Sequence, residues 1–181
     1  MSAGHGHIDP SNKKIALLIA VLALVLAFSE TLGKAAQTSA LSLNIEASNL
    51  WAFFQAKTIR QTVLRTAAEQ SSLTTPNDEA KKQIEAWRKT AQRYQTEPET
   101  GEGRDELMAR AKDAEKKRDR AMAAYHQYEL ASAAVQIAIV LASAAIVTGA
   151  MALAWIGAGL GVVGIAFCLI GFLAPTAVHV F

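Results

Sequence analysis

The sequence is poor in cysteine and proline, and its C-terminal part carries no charge. Cys168 is the only cysteine, so an intrachain disulfide is excluded. Residues 130–181 contain no Lys, Arg, Asp or Glu. Because a folded surface in water normally carries charged side chains, this absence favours a segment that lies in a membrane.

Motifs that carry enzymatic chemistry are also missing. The chain has no P-loop, no dinucleotide-binding glycine fingerprint, no HExxH pair and no nucleophile elbow. His5 and His7 would supply only two ligands, which is half of a zinc site. We therefore expect no enzymatic activity, no cofactor and no bound metal. The run KDAEKKRDR (112–120) interleaves acids with bases, which indicates a solvated helix face rather than a nucleic-acid patch.

Charge is confined to the middle of the chain, and three apolar segments lie outside it. Of the 18 basic residues 16 lie between Lys34 and Arg120, and of the 16 acidic residues 14 lie between Glu46 and Glu129. An apolar run of about 20 residues is long enough to cross a bilayer. The sequence predicts an all-α membrane protein with three transmembrane helices, at residues 15–33, 131–150 and 152–173.

The first apolar segment has two possible interpretations. It follows a lysine pair, as in a signal peptide, but no small-x-small cleavage site follows Phe28. We therefore expect an uncleaved anchor. Residues 1–14 are expected to be a flexible tail, and residues 174–181 a short one.

Residues 34–129 predict a helical, coiled-coil-like stalk outside the membrane, with helices at about 34–70, 76–96 and 104–130. Nothing stops the first helix before SSLTTPND (71–78). Thr75 is expected to cap the middle helix, with Pro76 at its first position and Asp78 closing a capping box. Side chains then recur at spacings of four and three, as heptads do: Ala80, Ile84, Trp87, Ala91 and Tyr94, followed by Leu107, Ala111, Ala114, Arg118, Ala121, Tyr125 and Tyr128.

Small residues form a stripe on each of the last two apolar segments. Small residues let helices in lipid approach closely, so close packing is predicted, with the same chain or another subunit as the partner. The stripe of the third segment contains Gly157, Gly161, Gly164, Cys168 and Gly171, and that of the second contains Ala134, Ala138, Ala142, Ala145 and Gly149.

Two polar residues fall within the apolar segments. Glu30 lies at the exit of the first one, where it is either an intramembrane functional group or a group at headgroup level. Gln136 lies in the second segment and could hydrogen-bond a neighbouring helix.

Aromatic residues cluster at Trp51, Phe53 and Phe54, well beyond the first apolar segment. If the third stalk helix runs antiparallel to the first, Ala111 and Ala114 lie opposite these rings. Trp51 and Phe54 would then fill this seam. Phe53 is expected to point away and to contact another subunit, because aromatic residues are enriched at interfaces. Trp87 is a further interface candidate.

The stretch EASNLWAFFQAKTIRQT (46–62) resembles the hallmark of an uncharacterised bacterial membrane family, domain of unknown function 4337. The shared features are EAS, the tryptophan and QAK followed by IRQ, placed after an N-terminal span. The resemblance covers nearly the whole chain. It implies one N-terminal span, a charged helical middle and a paired C-terminal span. It implies no established activity and no functional residue.

Taken together, these features predict a membrane scaffold or tethering protein that forms homo-oligomers through its stalk and its small-residue helices. One alternative is an accessory subunit that docks on another membrane protein through Phe53, and the other is a transporter or channel component that uses Glu30 and Gln136. The expected partners are the lipid bilayer and further copies of the chain. Lys13 and Lys14 favour a cytoplasmic N-terminus, which would put the stalk on the periplasmic side of a bacterial inner membrane.

Overall fold

The computed structural model describes residues 10–177, and this range contains four α-helices and no strand. The all-helical class expected from the sequence is thereby confirmed. Of the predicted flexible tail, residues 1–9 lie outside the described residues, whereas Pro10 already begins the first helix. Residues 178–181 also lie outside the described range. The helices are α1 (Pro10–Ser72), α2 (Asp78–Gln95), α3 (Arg104–Thr148) and α4 (Met151–Leu173).

The chain divides into two compact units that share α1 and α3. One unit comprises Met1–Ala40 and Asp119–Phe181, and we call it the apolar unit. The other comprises Leu41–Arg118, and we call it the charged unit.

Three helices are long and apolar enough to cross a membrane: α1, α3 and α4. Most of the large apolar side chains that are exposed among the described residues lie in the apolar unit, as lipid-facing residues would. Inside this unit Leu22 of α1 packs with Val135 and Ala138 of α3. A second cluster joins Ile15 to Ala142, Ala145 and Ala154.

The buried face of α3 in this unit differs slightly from the predicted alanine stripe. Ala131 and Val135 are fully buried, whereas Ala134 is only partly so. Gly149 is exposed and ends the helix rather than packing in the stripe: its φ is +70°, and its N–H donates to the Ala145 carbonyl at 2.9 Å. A left-handed residue at this position is a common helix stop, and glycine adopts it without steric cost.

The glycine stripe of α4 packs against helices of its own chain. A Cβ on Gly157 would lie 2.9 Å from the Ala138 carbonyl oxygen, and one on Gly164 would lie 3.1 Å from the Ala131 carbonyl oxygen. At Gly161 the neighbour is Leu22 of α1, and at Gly171 it is Tyr128 of α3. These four glycines, which are interface candidates in the sequence, are therefore buried against other helices of the same chain.

In the charged unit α1 and α3 run antiparallel. Asn44 bonds to Arg118, Trp51 to Glu115 and Thr58 to Arg104, so rising numbers on α1 meet falling numbers on α3. The cluster between the two helices contains Ala47, Leu50, Leu107, Ala111 and Ala114.

α2 starts two residues later than the sequence predicts. Its N-cap is Asn77, whose Oδ1 accepts the Ala80 N–H at 2.8 Å, and not Thr75. Asn is a stronger N-cap than Thr, and Pro76 then precedes the cap instead of following it. The predicted stripe of α2 is its least exposed face, and Ile84 and Ala91 are buried in it.

The close packing of α4 can be tested with a pair of glycines on the same helix. Gly157→Ala should lower the free energy of unfolding by about 1–3 kcal/mol, because the added methyl group meets the α3 backbone. Gly159→Ala is the control, since nothing lies within 4 Å of a Cβ there, and alanine should leave stability unchanged or raise it. Thermal melting in detergent micelles measures both variants, and equal melting temperatures would contradict the packing.

Candidate functional site

The stretch 46–62 lies on α1 where the three helices of the charged unit meet. Ala47, Leu50, Phe54, Lys57 and Gln61 follow one another at spacings of three and four, which places them on one face of a helix. Ala47, Leu50, Lys57 and Gln61 are buried, with Lys57 5% and Gln61 2% exposed. The inner face of α1 therefore changes from apolar to polar along this stretch.

Trp51 and Phe54 occupy the apolar part of the seam. Their ring centroids lie 5.5 Å apart at an interplanar angle of 85°, which is an edge-to-face pair. The indole Nε1–H of Trp51 donates to Glu115 Oε1 at 2.8 Å. Both rings pack against the cluster that contains Ala111 and Ala114, so the predicted pairing of large rings with alanines is found.

The expectation that Phe53 points away from the seam is wrong. Its ring is partly buried and packs against the same cluster. The ammonium of Lys57, four residues further along α1, lies 5.4 Å from the centre of the Phe53 ring. The helical spacing of 100° per residue does turn Phe53 to the side, but a long lysine side chain on the next turn covers it.

Arg104, the first residue of α3, joins the three helices. Its Nε donates to Thr58 Oγ1 at 2.8 Å, and its Nη1 donates to Gln61 Oε1 at 2.6 Å and to Gln95 Oε1 at 2.8 Å. The guanidinium carbon lies 4.9 Å from the centre of the Phe54 ring. Arginine, unlike lysine, has several N–H donors fixed in one plane, and those of Arg104 bond to side chains of both α1 and α2.

Gln61 completes the contact between α1 and α2. Its Nε2 donates to the Ala91 carbonyl at 2.8 Å and to Gln95 Oε1 at 3.2 Å, while its Oε1 accepts from Arg104. Both ends of this buried amide are thus satisfied, as a buried polar group requires.

Lys57 ties α1 to the connector between α2 and α3. Its Nζ lies 3.3 Å from Glu97 Oε2, 3.8 Å from Glu102 Oε2 and 5.1 Å from the centre of the Tyr94 ring. A buried ion pair is weak evidence for net stability, because both charges lose water. Removing one partner is costly, however, so the pair fixes which part of the connector lies over α1.

Gly103 lets the connector close onto itself. A Cβ there would lie 2.5 Å from the backbone nitrogen of Glu97 and would also meet the Glu106 carboxylate. Glu106 in turn accepts the Glu97 N–H at 3.3 Å, and Asp105 accepts from Gln95 and from Thr96. We call the set formed by Lys57, Thr58, Gln61, Gln95, Glu97 and Arg104 the polar junction.

The polar junction is not among the sites predicted from the sequence, although part of it follows a pattern that the sequence contains. Lys57 and Gln61 continue the spacing of Ala47, Leu50 and Phe54, so a buried polar pair could have been inferred on the inner face of α1. Arg104 could not have been found in this way, because it is separated from Gln61 by 43 residues along the chain.

Glu30 and Gln136, the two polar candidates of the apolar segments, are brought together. Gln136 Nε2 donates to Glu30 Oε1 at 3.4 Å, and both residues are exposed. The structure thus supplies the interhelical bond that Gln136 was expected to make.

Trp87, the further interface candidate, is half-buried on α2.

An apolar cleft with a volume of about 420 Å³ lies in the apolar unit, between the start of α1 and the start of α4. Its lining residues are Lys14, Ile15, Leu18, Met151, Ala154, Trp155 and Ala158. On an exposed face of α3, Lys117 Nζ donates to Asp113 Oδ2 at 2.7 Å, and this hydrogen bond raises the pKa of Lys117. Within residues 10–177, no group of three or more His, Cys, Asp or Glu is placed to hold a metal ion.

These features define an all-helical protein with three helices long and apolar enough to cross a membrane and a charged unit in which parts of α1 and α3 meet α2. A family model confirms the resemblance carried by residues 46–62: the chain belongs to the family described as domain of unknown function (DUF4337), matched over residues 11–174. No curated protein and no solved structure matches the chain.

The polar junction can be tested with Arg104→Lys. A single ammonium cannot reach all three acceptors, so buried oxygens lose a donor and the free energy of opening this region should fall by about 1–3 kcal/mol. Amide hydrogen exchange of residues 54–61 and 91–96 measures this opening in the micelle-bound protein.

The matched control is Arg110→Lys. Arg110 is exposed, and its Nη1 makes one long contact of 3.5 Å with the Gly101 carbonyl. Exchange rates in that variant should equal those of the wild type. Equal protection in both variants would contradict the role of Arg104.

Proposed function

We propose that the protein is a non-enzymatic, multi-pass membrane scaffold or tether that forms homo-oligomers through its charged unit. The observation that carries the proposal is the polar junction. Its two buried side chains are Lys57, which pairs with Glu97 of the connector, and Gln61, which bonds to α2 and to Arg104 of α3. Burying polar side chains costs desolvation free energy unless their partners are held in place, so these bonds fix the arrangement of the helices. A unit fixed in this way is suited to presenting a rigid surface.

The membrane assignment is supported by the charge pattern of α1 as well as by its length. Lys14 and Lys34 bracket 19 residues that contain Glu30 as the one charged group. At 1.5 Å per residue this interval is about 28 Å, which matches the hydrocarbon core of a bilayer. The lysine pair at Lys13 and Lys14 favours the cytoplasmic side for the N-terminus of a bacterial inner-membrane protein, with the charged unit in the periplasm.

The coiled-coil character of the charged unit is supported by the way α1 and α3 pair. Trp51 and Phe54 lie against Ala111 and Ala114, so large side chains of one helix fill the space left by small ones of the other. An antiparallel helix pair of this kind is a stiff element on which a second protein or a second copy can assemble.

The glycine stripe of α4 is not part of the proposed oligomer contact. Gly157, Gly161, Gly164 and Gly171 are already covered by α1 and α3. The surface for self-association is therefore sought on the charged unit.

The experiment is the mass of the full chain in mild detergent or in lipid nanodiscs, measured by native mass spectrometry. We expect two or more copies in each particle, because an oligomeric scaffold must associate without other proteins. A chain that is monomeric and well folded at every concentration would contradict the proposal. A stoichiometric complex with a different protein from native membranes would favour the accessory-subunit alternative.

A further inference from the structure

α1 carries a second row of apolar and small side chains in the charged unit, and no described residue covers it. Leu41, Ile45, Ile59 and Val63 are 61%, 54%, 64% and 60% exposed. Three small exposed residues lie between them: Ser48, Ala52 and Ala56. We call these seven residues the outer row.

The outer row is a continuous stripe on the side of α1 that faces away from the polar junction. Its spacings are 4, 3, 4, 4, 3 and 4, which is an 11-residue pattern repeated twice. At about 100° per residue the seven positions fall within about 80° of one another, and lie opposite Leu50 and Gln61. An 11-residue repeat stays close to the natural period of a helix, so a second helix could follow the row with little supercoiling.

A row of this kind in water indicates a partner. It extends over about 33 Å of helix, and each large side chain left exposed forgoes the free energy of burial. Six of its seven residues are apolar, and Ser48 adds only one hydroxyl group. Single exposed apolar residues need no explanation, whereas a contiguous stripe commonly marks an interaction surface.

The residues beside the row indicate that the partner is an identical surface. Its flanks are polar but almost uncharged, with Arg60 as the one charged residue among Ser42, Asn44, Asn49, Gln55, Arg60 and Thr62. When two parallel copies pair about a two-fold axis, the flank of one copy that carries Arg60 meets the flank of the other that carries Gln55 and Thr62, so no like charges are brought together. Helices that lie on lipid normally carry Lys and Arg beside the apolar face, so the bilayer fits this surface less well.

The order of sizes along the row also fits a symmetric pair. The small residues Ser48, Ala52 and Ala56 lie in the centre, one turn apart, and larger ones lie at both ends. Two helices that cross are closest at the crossing point, where small side chains allow near approach. They separate towards the ends, where larger side chains fill the gap.

We propose that two copies of the chain pair in parallel through the outer row, with the two helices closest to each other near Ala52. The parallel direction follows if both copies enter one membrane with the same topology. This inference rests on the proposed function, because it identifies the surface through which the scaffold associates. The proposed contact surface is therefore the outer row of α1 and not Phe53, whose ring packs against the cluster of its own chain.

The first experiment is site-directed disulfide cross-linking of the full chain in membranes, in a Cys168→Ser background that retains wild-type association. Ile45→Cys, Ala52→Cys and Ile59→Cys should each cross-link to the same position in a second copy. Ala109→Cys is the control, because Ala109 is exposed on α3 in the same unit and lies off the row. Cross-linking at Ala109 as strong as that at Ala52, or no cross-linking at the row, would overturn the proposal. Cross-linking at Ala52 without Ile45 or Ile59 would mean that the two copies touch at one point only, as in antiparallel pairing or a steep crossing, and would overturn pairing along the row.

The second experiment measures self-association after a charge is placed in the row. The double variant Ile45→Lys and Ile59→Lys should raise the dimer Kd in nanodiscs or micelles at least tenfold. Leu73→Lys is the matched control, since Leu73 is 85% exposed between α1 and α2, and the Kd should not change. A wild-type oligomer that resists the double variant would overturn this surface while leaving the scaffold in place. A monomeric wild type would overturn both.

Discussion

The charged unit depends on one interaction, the hydrogen bonding of the Arg104 guanidinium to α1 and α2 from the first turn of α3. Because its donors are fixed in a plane, all three acceptors are met only when the three helices are in one register. Gln61 is then satisfied on both sides, and Phe54 lies beneath the cation. Hydrophobic contact alone would allow neighbouring registers of similar energy, whereas a buried oxygen that loses its donor excludes them.

The apolar unit is held by a different kind of contact. If it lies in lipid, burial of apolar surface contributes little, since lipid is as apolar as the helix surface, and dispersion at short range must replace it. Gly157 and Gly164 therefore lie against backbone atoms of α3, at distances that a methyl group would reduce below contact. The same chain thus uses its polar groups for specificity in one unit and its glycines in the other.

Much of this arrangement is predictable from the sequence, and the misses have physical causes. Trp51 lies opposite Ala111 and Ala114 as expected, because antiparallel helices and a fixed rise per residue determine which levels meet. The glycine stripe was predictable, but its partner was not, since spacing reveals a face without revealing what covers it. The outward direction of Phe53 was predicted from its helical angle alone, which does not include the long Lys57 side chain that covers the ring. Arg104 lies too far from Gln61 in sequence for any local pattern to connect them.

The stretch by which the family is recognised encodes two faces of one helix. Trp51, Lys57 and Gln61 point to the seam with α2 and α3, while Ser48, Ala52, Ala56 and Ile59 alternate with them on the outer side. A helix that needed only an internal seam could carry charges on its outer side, as α3 does with Lys117 and Asp113. The outer side of α1 instead carries apolar and small residues with an almost uncharged border, so its composition fits a contact made beyond the chain. Because the two faces impose separate requirements on alternating residues, a substitution within 46–62 is expected to affect either the internal seam or the proposed outer contact.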